Sequence, residues 1–75
     1  MSQKDYILTN HAQERMKERG ITEEEIEEVI KDPEYSYPGV KEEKNLVKTI
    51  KRKKIRVVCK DRPKRKIIIT VLLVD

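Results

Sequence analysis

The 75 residues hold one cysteine, Cys59, one histidine, His11, and no tryptophan or phenylalanine. A single thiol excludes an internal disulfide, and one His with one Cys cannot complete a zinc site, so neither a metal nor a cofactor is expected. The longest largely apolar run, "IIITVLLV" at 67–74, is far short of the roughly 20 residues that span a bilayer. The opening "MSQKDYILTN" lacks the basic-then-apolar pattern of a leader, so a cytoplasmic protein without membrane attachment is expected. Hydrophobic content is only 36%, but it concentrates near the C-terminus, which argues for a small folded domain over 1–75.

Charge is abundant and unevenly spread. Residues 1–40 carry 5 basic against 10 acidic side chains, whereas residues 41–66 carry 13 against 3. A basic segment of this density fits a polyanionic partner, with phosphates as the usual source of affinity. The same lysines serve equally to solvate exposed strand faces and block edge-to-edge pairing.

Two helices are predicted first. One starts at Thr9 or Asn10, whose side chains can accept a hydrogen bond from a first-turn N–H, covers about 10–19 and stops at Gly20. The next covers about 22–31: Thr22 with Glu25 fits the capping box, and Ile26, Val29 and Ile30 recur at helical spacing. It ends before the Asp32-Pro33 pair. Residues 32–43, "DPEYSYPGVKEE", read as a loop with at most a short extended piece.

Three strands follow, at about 45–52, 55–60 and 67–74, the first two joined by a turn at Lys53 and Lys54. In the middle strand Ile55, Val57 and Cys59 share the face that the helices should cover, and Arg56, Val58 and Lys60 share the other. The last strand is apolar on both faces apart from Thr70, which does not suit a sheet edge. Either "YILT" at 6–9 pairs beside it or a second copy of the chain does. The expected architecture is α+β, two N-terminal helices on one face of an antiparallel sheet of three, possibly four, strands.

His11, Arg15 and Arg19 form one row on the first helix, beside the apolar row of Ala12 and Met16. Histidine moves protons near neutral pH and arginine offers a planar fork to a phosphate, so this row could serve metal-independent RNA cleavage. Alternatively Arg15 pairs with Glu18 three residues on and the histidine bonds locally. Tyr35 and Tyr37 stack on bases, transfer protons or pack the loop on the sheet. Cys59 reads as a small core residue. Lys51, Arg52, Arg56 and Lys60, with Arg19, are candidate nucleic-acid contacts.

The run "HAQERMKERGITEEEIEEVI", the basic hairpin containing "IRVV" and the closing "IIITV" resemble a small prokaryotic family known only as a domain of unknown function. Its members open with His-Ala-x-x-Arg-Met-x-x-Arg-Gly-Ile; here His11, Arg15, Met16, Arg19, Gly20 and Ile21 fall in step. That family is similar in layout to the RelE, ParE and BrnT toxins, several of which are metal-independent ribonucleases acting on messenger RNA. The resemblance implies a RelE-like fold, with His11 as acid or base and Arg15 as phosphate ligand. The closing "TVLLVD" departs from toxins that place a tyrosine or other polar group there, and Leu72 cannot donate a proton. Proton transfer would then fall to His11, Tyr35 or Tyr37, and we take His11, Arg15 and Tyr37 as the catalytic candidates. The expected partners are RNA or the ribosome, an antitoxin, or a second copy of the chain. The alternatives to a toxin-like ribonuclease are a noncatalytic nucleic-acid or ribosome-binding module and a protein-interaction module pairing through the last strand.

Overall fold

The computed structural model describes residues 6–74. The expectation of no leader rests partly on residues 1–5, which lie outside the described residues, as does Asp75. The chain runs β1 (Tyr6–Leu8), α1 (Asn10–Arg19), α2 (Glu23–Lys31), β2 (Tyr35–Pro38), β3 (Glu43–Ile50), β4 (Lys53–Asp61) and β5 (Lys66–Leu73). The architecture is α+β, with strands in the order β1-β5-β4-β3-β2. Among the described residues no helix is long and apolar enough to cross a membrane.

Both helices form where local chemistry directs them. Thr9 caps α1 by accepting from the Ala12 N–H, and its hydroxyl also reaches the Ile68 carbonyl at 2.9 Å, fastening the helix start to β5. Gly20, at φ 65°, ends α1 in the left-handed conformation that glycine adopts without a Cβ penalty. In α2 the Thr22 and Glu25 capping box closes in both directions.

The sheet is mixed and five-stranded, not an antiparallel sheet of three or four strands. β1 runs parallel to β5, pairing Leu8 with Ile68, and so covers the edge that the apolar last strand would otherwise expose. β2 is a short extended piece inside the stretch read as a loop, and it joins the sheet, pairing antiparallel to β3 from Tyr35↔Val47 to Pro38↔Lys44. An outer strand tolerates Pro38, whose missing N–H costs least there.

The β3–β4 turn lies at Lys51 and Arg52, two residues before the expected position, so β3 ends at Ile50 and β4 begins at Lys53. Both turn residues have positive φ, 50° and 71°, the combination whose twist matches a two-residue hairpin. That conformation is costly for non-glycine residues. The shift makes Lys53 the first residue of β4, where its ammonium lies 2.9 Å from both the Gly20 carbonyl and Glu25.

β5 contains one irregularity. Val58 faces Thr70 but Cys59 faces Ile68, leaving Ile69 as an extra residue. In a regular strand Ile68 and Val71 would point to opposite faces; the bulge puts both into the core. They join Tyr6, Ala12, Ile21, Ile26, Val29, Leu46, Ile50, Ile55, Val57 and Cys59 between helices and sheet. Burial raises the Cys59 thiol pKa, as expected of a packed thiol and not of a nucleophile.

Candidate functional site

Strand alternation divides the sheet into a covered and an open face. Ile55, Val57 and Cys59 point under the helices, so Lys54, Arg56, Val58 and Lys60 point away from them. Register carries this parity across the sheet. One row of the open face is Tyr35, Val47, Arg56 and Leu72, and the next is Tyr37, Asn45, Val58 and Thr70.

Tyr35 and Tyr37 are two apart in β2, and their rings stack with centroids 6.3 Å apart and planes within 20°. They remain 46% and 40% exposed, which makes them available to a ligand. The Lys54 ammonium lies 5.6 Å from the Tyr35 ring centroid, and Arg56 Nη1 donates to the Tyr37 hydroxyl at 3.3 Å. Lys54, Arg56 and Lys60 make no ion pair among the described residues. The Arg56 Nε is buried without a hydrogen-bond partner, an arrangement that costs stability.

On the covered face every lysine of the sheet is neutralised. Lys48 reaches Asp32 at 3.2 Å and Glu28 at 3.4 Å, and Lys53 reaches Glu25 at 2.9 Å. Lys44 and Lys66 both hold Asp61 at 2.7 Å, and together they keep its carboxyl at about 2. Burial alone would raise Glu25, but the Thr22 N–H and the Lys53 ammonium outweigh it and hold the carboxyl below its usual value. The Tyr6 hydroxyl lies 2.8 Å from carboxylate oxygens of Glu23 and Glu27, and burial with these neighbours raises its pKa. A groove of about 420 Å³ between α2 and β2 includes Ile30, Ser36, Lys44, Leu46 and Lys66, the two lysines being the pair that Asp61 holds.

The expected site residues fall into separate groups. His11 is exposed on α1, while Arg15 and Arg19 both turn to Glu18, at 2.6 and 3.3 Å. α1 packs on β5, whereas Tyr37 lies in β2 at the far edge and on the opposite face. His11 and Tyr37 therefore do not share a cleft. Arg56 and Lys60 do share the open face with Tyr37, and Lys51 and Arg52 occupy the turn at one end of that face. Lys54 and Asn45 belong to the open face but were missed, because Lys54 was placed in the turn and Asn45 at a strand end. The Tyr-x-Tyr spacing was the available signal, since reading 35–38 as a strand puts both rings on one side.

No group of three or more His, Cys, Asp or Glu residues able to hold a metal ion occurs among the described residues. The arrangement offers stacking surfaces and cations that make no ion pair among the described residues, which suit binding of an aromatic anion. No curated protein matches this chain, and no solved structure does. The family model described as "Domain of unknown function (DUF4258)" matches residues 8–72, nearly the whole chain, which therefore belongs to that family.

Proposed function

We propose that the open face binds single-stranded RNA without cutting it. The observation that carries this reading is the exposed Tyr35–Tyr37 stack set among Lys54, Arg56 and Lys60, none of which makes an ion pair among the described residues, although Lys60 stands opposite Glu43 across the β3–β4 ladder. Unpaired bases stack on such rings, whereas bases within a duplex do not offer their faces, and the cations follow the phosphates. RNA is preferred to DNA here on the sequence resemblance alone, since several of the toxins whose layout the chain resembles act on RNA. Cleavage of the toxin kind would need His11 and Arg15 at the phosphate. His11 lies across the sheet from the tyrosines, and Arg15 is engaged by Glu18.

The absence of tryptophan makes tyrosine fluorescence a direct probe of binding. Titration with single-stranded RNA in chelator should quench it, and Tyr37→Ala should weaken affinity by about 5- to 150-fold, the equivalent of about 1–3 kcal/mol for one stacked base. Tyr35→Ala should act similarly, His11→Ala should leave affinity unchanged, and the RNA should stay intact. Affinity indifferent to both tyrosines would refute the proposal. Cleavage that His11→Ala abolishes would replace it with the ribonuclease reading.

A further inference from the structure

α2 covers only part of the face on which it packs. It lies against β3 and β4, and at Asp32 and Pro33 the chain leaves the helix for β2, so the β2 margin of the covered face lies beyond the helix. Register sets Ser36 opposite Leu46 and Pro38 opposite Lys44, and Leu46 belongs to the core, so these four residues share the covered face. The groove of about 420 Å³ runs along this margin, and its size is within the range of small-molecule sites. Ile30 and Pro33 line it from the helix side, Pro38 and Leu46 from the sheet, and they make its body apolar.

Lys44 and Lys66 bring charge to the same groove. Each ammonium is paired, but with one shared carboxylate: Lys44 holds Asp61 Oδ2 and Lys66 holds Asp61 Oδ1, both at 2.7 Å. Two cations on one anion leave this trio with a positive charge in excess. Glu42 does not offset it, since it pairs with Arg62 at 3.0 Å. An ammonium has three N–H donors, so each lysine keeps donors to offer after its bond to Asp61. Both remain within reach, Lys44 being 55% exposed and Lys66 29%. Ser36, also in the lining, has a hydroxyl without a partner among the described residues.

We infer that this groove binds a small monocarboxylate with an apolar body, of the medium-chain fatty acid kind. Its carboxylate is shared by Lys44 and Lys66 beside Asp61, and its hydrocarbon lies along Ile30, Pro33, Pro38 and Leu46. One carboxylate balances the excess charge of the trio. A phosphate monoester, at about −1.5 to −2 near neutral pH, would overbalance it next to Asp61, and a nucleic-acid strand would bring more charge still. The groove therefore takes a single carboxylate, and the open face remains the side for a polyanion; the inference does not rest on RNA binding. The C-terminus of a peptide suits the groove less well, because its backbone amides would need partners and Pro33 and Pro38 have no N–H to give.

The test is an amide-shift NMR titration of the full chain with octanoate, acetate, 1-octanol and octyl phosphate, each kept below its micelle-forming concentration. Octanoate should give saturable shifts at Ile30, Ser36, Leu46 and Lys66 and leave Arg56 and Val58 in place. Acetate, which has the charge without the body, and 1-octanol, which has the body without the charge, should each bind at least about tenfold more weakly. From butanoate to octanoate, affinity should rise by up to about fourfold per methylene, the equivalent of about 0.8 kcal/mol for a buried CH2. Lys66→Met, first shown to unfold cooperatively, should weaken octanoate by about tenfold and leave 1-octanol unchanged. Ser36→Phe fills the groove from an exposed position and should weaken both, which keeps the test independent of the Asp61 cluster. Octanoate shifts that do not saturate, that acetate reproduces, or that survive both substitutions at full affinity would overturn the inference. Tighter binding of octyl phosphate, or of acetylated Leu-Leu, than of octanoate would overturn it too, assigning the groove to phosphates or to peptide termini.

Discussion

On the covered face of the sheet, Lys44, Lys48, Lys53 and Lys66 each reach a carboxylate; on the open face, Lys54, Arg56 and Lys60 make no ion pair among the described residues. The strands and backbone are the same, and side-chain alternation decides which cations meet α2 and the Asp61 carboxyl. Lysines under the helices are tied into the fold, where their charge is spent on Glu25, Glu28, Asp32 and Asp61. Those on the other side make no ion pair among the described residues, and the proposed binding of an external anion rests on them. Of the basic-segment cations that make no ion pair among the described residues, Lys54, Arg56 and Lys60 lie on the side that carries the tyrosines, and Lys41, Lys51, Arg52, Lys64 and Arg65 lie in turns and loops between the strands.

The largest difference between the faces should appear on truncating the core. Ile26 is fully buried in α2 against the sheet, and Ile26→Ala should cost about 2–5 kcal/mol, read from denaturant unfolding. In a chain this short, that is a large part of the total. RNA affinity per folded molecule should not change, because the open face takes no contacts from α2. A loss of affinity beyond the unfolded fraction would show that the faces are not independent.

A smaller effect concerns acid. Asp61 and Glu25 both have folded pKa values below their ordinary ones, Asp61 near 2. Lowered folded values mean that these carboxylates stabilise the fold fully above the unfolded range of about 4, with the benefit lost as pH falls toward the folded values. Asp61→Asn should therefore reduce stability at about pH 6 and make little difference at about pH 2, measured by urea unfolding at each pH. The exposure of the Lys44–Asp61–Lys66 cluster keeps the effect modest. A deficit that is the same at both pH values would mean that charge is not what Asp61 contributes.

Much of this division was legible in residue order. Thr22 with Glu25, Gly20 after Arg19, and the alternation of Ile55, Val57 and Cys59 with Arg56 and Lys60 all follow from local rules. Apolar β5 correctly demanded a neighbour, and "YIL" supplies it. Three things were hidden. The bulge at Ile69 has no sequence signature, yet it decides that Ile68 and Val71 share a face. β2 is mostly exposed, so its residues lack the apolar pattern by which strands are recognised. The turn at Lys51 and Arg52 uses positive φ without glycine or asparagine, the residues by which such turns are ordinarily read. The site shifted with these elements: Tyr37, Arg56 and Lys60 came together only once β2 joined the sheet, and the helix row of His11, Arg15 and Arg19 stayed apart from them.

The most direct measurement compares one cation from each face. Arg56→Met and Lys48→Met each remove one charge while keeping an apolar stem. The RNA affinity of both is followed across salt concentrations, beside their unfolding. Arg56→Met should weaken binding and lower the salt slope by about 0.7, the value for one phosphate contact on a single strand. Its stability should be equal to or above wild type, because the buried, unpartnered Nε is gone. Lys48→Met should leave affinity and slope unchanged and lose stability, since it leaves Glu28 and Asp32 without their cation. Equal slopes for the two variants, or a slope lowered by Lys48→Met alone, would contradict the assignment of the open face as the anion-binding side.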